Sequence, residues 1–320
     1  MIMGNHFKHF GKYAVVQGVF VMSLMPFWGY AAEKAIYGPD DRKEYFEVPK
    51  KVQQTADSVA ALFYASALPY DGKAYQIPQT QYPFNYGNNH YPLCAKEHFA
   101  KQPSAAYCSG VLIAPNQVLT AAHCAKDQQG VSYGAGKSCA GIVLSFDYRL
   151  DAASKIPTNL TPNQLYQCQK VLDYFYQDNG QFQLVILQLD RYVKDRNPLP
   201  IRSSGKIADG TPIGLIGYPL GWPLKIAKTG ATVRDNKAED SFITDVDSFH
   251  GNSGSPVFDA EQLRQGNAVV EGILVSGEVD FILTEQACAT ANTCKTQKAD
   301  EPGCNGEKVM RVNKLIRSRK

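Results

Sequence analysis

Charge of one sign, long apolar runs and repeats are all scarce in this sequence. Lys and Arg number 33 against 30 Asp and Glu, a net charge of +3 over 320 residues. That balance is too mild for a nucleic-acid binder, and no basic stripe interleaved with aromatics appears. Beyond residue 32 no stretch is apolar enough to span a bilayer. No strand–helix–strand rhythm of about 30 residues is present, and no repeat. Cys288, Cys294 and Cys304 lack paired CxxC spacing and a local His. A zinc site is therefore set aside, and no cofactor is expected.

What is present begins at the N-terminus. Lys8 and Lys12 precede the apolar stretch AVVQGVFVMSLMPFWGYAA, residues 14–32, with small residues at Gly29, Ala31 and Ala32. This reads as a signal peptide cut after Ala31. The opposing reading, a membrane anchor, meets a short run broken by Gln17, Gly18 and Pro26. Export agrees with the eight cysteines, an even number that points to disulfides in an exported chain. The mature protein is expected to be secreted or periplasmic and monomeric, free of membrane and nucleic acid.

Residues 52–63, VQQTADSVAALF, carry apolar side chains at 52, 56, 59, 62 and 63, which is helical spacing. Residues 69–92 are rich in Tyr, Pro, Asn and Gln and read as an irregular surface segment. From Cys108 short β runs dominate, among them SGVLIAP, QVLTAAH, GIVLSF, QLVILQL, TPIGLIGYP and AVVEGILVSG. Gly, Pro and Asn punctuate them, the pattern of a sandwich or barrel. KVMRVNKLIRSR, residues 308–319, is a basic helix candidate.

The strongest chemical signal is GNSGSP, residues 251–256. A serine nucleophile needs an exposed Oγ and converging backbone N–H groups to hold an oxyanion. Glycines at 251 and 254 allow the chain to turn tightly around Ser253. Alone, the run is also compatible with a plain Gly/Ser turn. TAAHC, residues 120–124, sets His123 at the end of an apolar strand and beside a cysteine. A rigidly held His suits a general base aimed at a serine. A lone His is more often structural; the pair of motifs is much harder to obtain by accident.

With CSG at 108–110 added, and in this order, the motifs resemble those of the trypsin-like (chymotrypsin-fold, S1) serine peptidases. IYGPDDR near the mature start, IGYP at 216–219 and GNSGSPVF resemble the bacterial glutamyl-endopeptidase-like branch. The resemblance covers about residues 94–285. It implies a protein or peptide substrate, Ser253 as nucleophile and His123 as base. It also implies an oxyanion hole from the N–H groups of Gly251 and Ser253, and a Cys108–Cys124 disulfide. Asn252 stands where animal trypsins carry the Asp that pairs with a new N-terminus, and an Asn cannot form that ion pair. Six residues before the serine, at the family's pocket floor, stands Asp247, followed by Ser248. A buried carboxylate there favours Arg or Lys at the cleaved position. The plainer reading is that Asp247 caps a loop. The glutamyl branch uses a His where this chain has Leu274, so its glutamate preference is not carried over. Ser276 and Gly277 complete the expected substrate wall, with His250 at its rim.

The third member of the site departs from the family. Its acid opens a strand that ends in a Leu-Asp-Arg-like turn. Aligned on LQLDR, 187–191, that place falls to Gln183. Asp178, in the preceding DNG turn, is a possible substitute and Asp173 a poorer one. Asp190 is too far along the strand, with opposite side-chain parity. An enzyme slowed by Gln183 is one reading. A non-catalytic binding or scaffold protein on the same fold is the other.

The expected architecture is all-β. It has two antiparallel six-stranded barrels with the site in the cleft between them, a short helix near the N-terminus and a C-terminal helix. The expected divisions are 1–31 signal peptide, 32–93 pro- or N-terminal extension, 94–200 first barrel, 201–285 second barrel, and 286–320 Cys-rich segment and helix. Cys139–Cys168 is a plausible bridge, which leaves three connectivities for the last four cysteines.

Overall fold

The structure is a computed structural model that describes residues 35–153, 155–176, 182–228, 230–294, 304–313 and 315. The expected signal peptide, residues 1–31, lies outside the described residues, as does Asp178. No described helix is long and apolar enough to cross a membrane.

Six antiparallel strands close into a barrel. Their order is Tyr166–Tyr176, Phe182–Leu189, Gln117–Ala121, Cys108–Ala114, Val59–Tyr64 and Ile142–Ser145. Leu62, Phe63, Val111, Leu112, Val118, Leu119, Val185 and Ile186 are fully buried in its core. The helix expected over 52–63 ends at its midpoint. Lys50–Ala56 is helical, while Val59–Tyr64 is a strand upstream of residue 94, paired with Cys108–Ala114 and Ile142–Ser145. Ladder partners on both sides outweigh a helical spacing of apolar residues.

The second half is not the expected six-stranded barrel. It is an open sheet of eight strands: Val233–Asp235, Ser241–Thr244, Glu307–Arg311, Val270–Ser276, Pro256–Asp259, Ile213–Gly217, Lys225–Ala227 and Lys43–Glu44. Its edges are a three-residue and a two-residue strand that pair with different neighbours, so the ladder never closes. The N-terminal edge is fastened by a buried ion pair, Lys225 Nζ to Glu44 Oε2 at 3.1 Å.

The expected C-terminal helix, residues 308–319, is corrected over its first part, and residues 314 and 316–319 lie outside the described residues. Glu307–Arg311 is a strand, paired with Ser241–Thr244 on one side and Val270–Ser276 on the other. Val309, Met310 and Arg311 are all buried, as an internal strand requires. The second helix, Ala260–Gln265, lies elsewhere. Asp259 caps it by accepting the N–H groups of Glu261 and Gln262, and Gly266 closes it in the left-handed region.

Four disulfides staple the chain: Cys108–Cys124, Cys139–Cys168, Cys94–Cys288 and Cys294–Cys304. The first two brace the barrel. The others fasten segments that carry few ladder bonds of their own.

Candidate functional site

His123 lies in the single 3-10 turn Ala122–Cys124 that ends the Gln117–Ala121 strand. Ala122 and Cys124 are buried while His123 is exposed, so the turn presents the imidazole outward. Ser253 follows a turn in which Asn252 N–H bonds to Phe249 C=O at 3.0 Å. With His250 and Gly251 at its centre, and Gly251 at φ +92°, this is a type II turn. A Cβ on Gly251 would meet the Tyr218 carbonyl oxygen at 2.5 Å. At Gly254, φ +89°, the clash with Ser109 would be worse. Both glycines flanking Ser253 are thus required by backbone angle and by space.

The two turns meet around the Cys108–Cys124 disulfide. Donor atoms of Cys108, His123 and Cys124 lie within 4.8 Å of one another. The two sulfurs are bonded to each other, so they offer no thiolate and the trio does not suit a metal. Cys124 Sγ lies 3.6 Å from the Ser253 carbonyl oxygen, and Ser109 N–H bonds to that oxygen at 2.8 Å.

Ser109 is the hub of the junction. Its Oγ donates to Gly251 C=O at 2.9 Å and accepts Tyr218 N–H at 3.0 Å. Its carbonyl accepts the Thr120 hydroxyl at 2.6 Å. One fully buried serine therefore ties the barrel to two loops beside the open sheet. The motif CSG contains it, but a buried serine has no sequence signature of its own.

The His250–Gly251 peptide has a fixed orientation. Leu220 N–H bonds to the His250 carbonyl at 2.5 Å. In a trans peptide the C=O and N–H point in opposite directions, so Gly251 N–H faces away from Leu220. On the other side, His250 N–H donates to Asp280 Oδ2 at 2.9 Å. Neither Leu220 nor Asp280 stood out in the sequence, because both act from distant positions.

Asn252 is buried. Its Nδ2 donates to Ser248 Oγ at 3.1 Å, and its Oδ1 accepts Ser255 Oγ at 3.4 Å. Asp247 accepts Tyr37 N–H at 2.8 Å and Asp41 N–H at 3.1 Å, one on each oxygen. Burial pushes its carboxyl up to about 7, against these two bonds and the pull of Arg42. The same N-terminal segment bonds through Ala35 N–H to Glu307 Oε1 at 3.1 Å and through Ala35 C=O to Ser248 N–H. Glu307 is fully buried, and its carboxylate fills the space a side chain at Gly277 would need. Ser276 ends the neighbouring strand, half-buried and paired in register with Lys308.

Gln183 is half-buried at the start of the Phe182–Leu189 strand, and this strand packs on the Ala122–Cys124 turn. The next residue, Leu184, pairs with Ala121. Asp173 is exposed on the neighbouring strand, in register with Ile186. Asp190 is occupied by Gln167 N–H and Arg191.

A family model described as a trypsin-like peptidase domain matches residues 108–264, a span holding both turns. Over that span the fold is that of a trypsin-like peptidase domain. The chain is similar to three solved structures. One is a Glu endopeptidase in complex with MPD, at 16% identity, TM-score 0.46, covering 88% of this chain and 96% of that one. Another is the VesB protease of Vibrio cholerae, at 12%, TM-score 0.46, covering 87% and 66%. The third is human heparin binding protein, at 13%, TM-score 0.46, covering 87% and 93%. No curated protein matches the sequence. The trypsin-like fold supports a general serine-peptidase type of hydrolysis, and nothing in the comparisons singles out the glutamyl-endopeptidase branch.

Proposed function

We propose that the chain is an exported serine endopeptidase with a Ser253–His123 centre. Ser253 Oγ attacks the peptide carbonyl carbon while His123 takes the hydroxyl proton. That proton passes to the leaving amine as the C–N bond breaks, and water then hydrolyses the acyl-enzyme by the reverse proton route. The N–H groups of Gly251 and Ser253 hold the oxyanion. The observation that carries this reading is the His250–Gly251 peptide, whose carbonyl is engaged by Leu220 so that its N–H faces the other way. Four disulfides and the N-terminal charged-then-apolar sequence support export.

Gln183 in the place of the acid makes the enzyme slow. Its carbonyl can accept the imidazole N–H but brings no charge to stabilise the imidazolium. Asp178 is the substitute acid if its loop reaches His123. Asp247 gives a preference for Arg or Lys, since two accepted N–H groups leave about two of the four acceptor positions of a carboxylate. The same two bonds favour its alternative role as a loop anchor.

The test is labelling of the mature chain with a fluorophosphonate probe, with Ser253→Ala as control. Labelling of the native chain that vanishes in Ser253→Ala is expected. A native chain that stays unlabelled, while Gln183→Asp is labelled, sinks the enzyme and favours a binding or scaffold protein. Cleavage of Arg, Lys and Glu substrates then tests Asp247; a Glu preference refutes its assignment.

A further inference from the structure

The type II turn Phe249–Asn252 has nothing in its own sequence to keep it in one state. Types I and II differ mainly by a flip of the central peptide, here His250–Gly251. Gly251 adopts φ of either sign with equal ease. A flip would aim the His250 carbonyl where the Gly251 N–H now points and would repel an oxyanion instead of holding it. The restraint therefore comes from outside the turn.

Two groups supply it, from opposite sides of His250. Leu220 N–H holds the carbonyl at 2.5 Å. Leu220 is itself left-handed at φ +52°, an uncommon state for a branched side chain. It is kept there by Ser104 Oγ donating to its carbonyl at 2.6 Å and by packing with Trp222 and Phe249. On the other side Asp280 Oδ2 holds His250 N–H at 2.9 Å. Asp280 is buried, and its carbonyl accepts Asn292 N–H at 2.8 Å. The adjoining hairpin, Phe281–Leu283 with Ala289–Ala291, is pinned by Cys94–Cys288 and by Cys94 N–H on Ala289 C=O at 2.8 Å. Phe281 packs on Phe249 with ring centroids 4.7 Å apart.

We infer that Asp280 is a positioning residue for the oxyanion hole: it holds His250 N–H and, with Leu220 on the carbonyl, keeps Gly251 N–H presented for the oxyanion. This rests on the serine-peptidase reading. The carboxylate accepts the His250 N–H. It acts through the His250–Gly251 peptide, and the Cys94–Cys288 staple holds it in place.

The test compares Asp280→Ala and Asp280→Asn in the full chain, with a peptide ester as substrate and the matching peptide aldehyde as tetrahedral-adduct probe. Losing one oxyanion donor outright costs about 10²–10³ in turnover, and a donor present part of the time costs less. Asp280→Ala should lower kcat about 10- to 100-fold and weaken the aldehyde in proportion, with KM nearly unchanged. Asp280→Asn keeps an acceptor for His250 N–H and should recover most of the loss. Native kinetics in Asp280→Ala overturn the inference. So does a parallel loss in kcat, KM and melting temperature that Asn fails to rescue, which marks a structural residue only. If the native chain itself is not labelled at Ser253, the peptidase reading fails separately. Amide hydrogen exchange across Phe249–Ser253 then decides: faster exchange in Ala but not in Asn supports the clamp, and unchanged exchange overturns it.

Discussion

The closed barrel and the open sheet fix their functional turns by different means. In the barrel, the turn bearing His123 continues a strand that is paired on both sides, Ala121 with Leu184 and Leu119 with Val111. Many equivalent main-chain bonds share the restraint. In the open sheet, the loop bearing Ser253 lies outside any ladder. Its form depends on a few particular groups: Ser109 on Gly251, Ser248 on Asn252, Leu220 and Asp280 on His250. A ladder tolerates the loss of one member; a loop held by particular side-chain and single main-chain contacts tolerates it less, because neighbouring contacts in one network are coupled. The barrel gives the proposed base a fixed place, and the side of the proposed nucleophile is the half open to adjustment.

The largest effect is expected on the barrel side. Losing the charge of the triad acid costs about 10⁴ in turnover in the worked serine-peptidase case. Gln183→Asp should therefore raise kcat by about 10³–10⁴ on a peptide ester. Leu184, paired with Ala121, sets residue 183 beside the His123 turn, so the gain needs no second mutation. A variant that gains nothing breaks the comparison at its firmer end and shifts the search for the acid to Asp178.

Next comes the fastening of the open sheet. Lys225 is fully buried, and burial lowers its ammonium to about 8 in spite of Glu44. Its Nζ also donates to Gln102 Oε1 and the Pro223 carbonyl. Removing one partner of a buried pair costs about 3–5 kcal/mol, while an apolar replacement of both is often neutral. Lys225→Met should lose about that much in urea unfolding, and Lys225→Met with Glu44→Leu should recover most of it. If the single variant is as stable as the native chain, the two-residue edge strand does not depend on its ion pair.

The contrast also explains what was legible beforehand. CSG, TAAHC and GNSGSP mark places where backbone geometry demands a residue type, as at Gly251 and Gly254. Short apolar runs punctuated by Gly, Pro and Asn located four of the six barrel strands, since these strands are buried on both faces. Val59–Tyr64 and Glu307–Arg311 escaped because their strand character comes from partners on both sides, not from their own spacing. The open ladder escaped because Lys43–Glu44 is only two residues, too short for any period. Asp280 and Leu220 escaped for a deeper reason. Each bonds to His250 across 30 residues of sequence, and nothing local to either marks it.

Ser109→Ala sharpens the comparison where the halves join. It removes the donor to Gly251 C=O and leaves Tyr218 N–H buried without its acceptor. An orphaned buried group costs about 1–3 kcal/mol, so thermal unfolding should shift by that much. The barrel ladder is untouched, so amide exchange should quicken near Tyr218 and Gly251 but not in Gln117–Ala121. Equal quickening in both would show that the loop and the ladder are not restrained separately.

The smallest expected effect is a slope in pH at Asp247, the anchor of the N-terminal segment. Burial raises its folded-state carboxyl from 3.8 to about 7. Between those values the folded chain keeps a proton that the unfolded chain has lost. Stability from this group is therefore greatest below the unfolded value and declines as pH rises through the folded one. One proton sets a ceiling of about 1.4 kcal/mol per pH unit, and the Tyr37 and Asp41 N–H groups, by favouring the charged form, narrow the pH range over which it acts. Asp247→Asn should flatten this part of a melting-temperature profile taken from pH 4 to 8. The same profile separates the two roles of Asp247. As a pocket floor, its ionisation makes the preference for Arg over a neutral residue grow as pH rises through about 7, and Asp247→Asn abolishes that growth. As an anchor alone, Asp247→Asn flattens the stability profile and leaves the substrate ratio independent of pH.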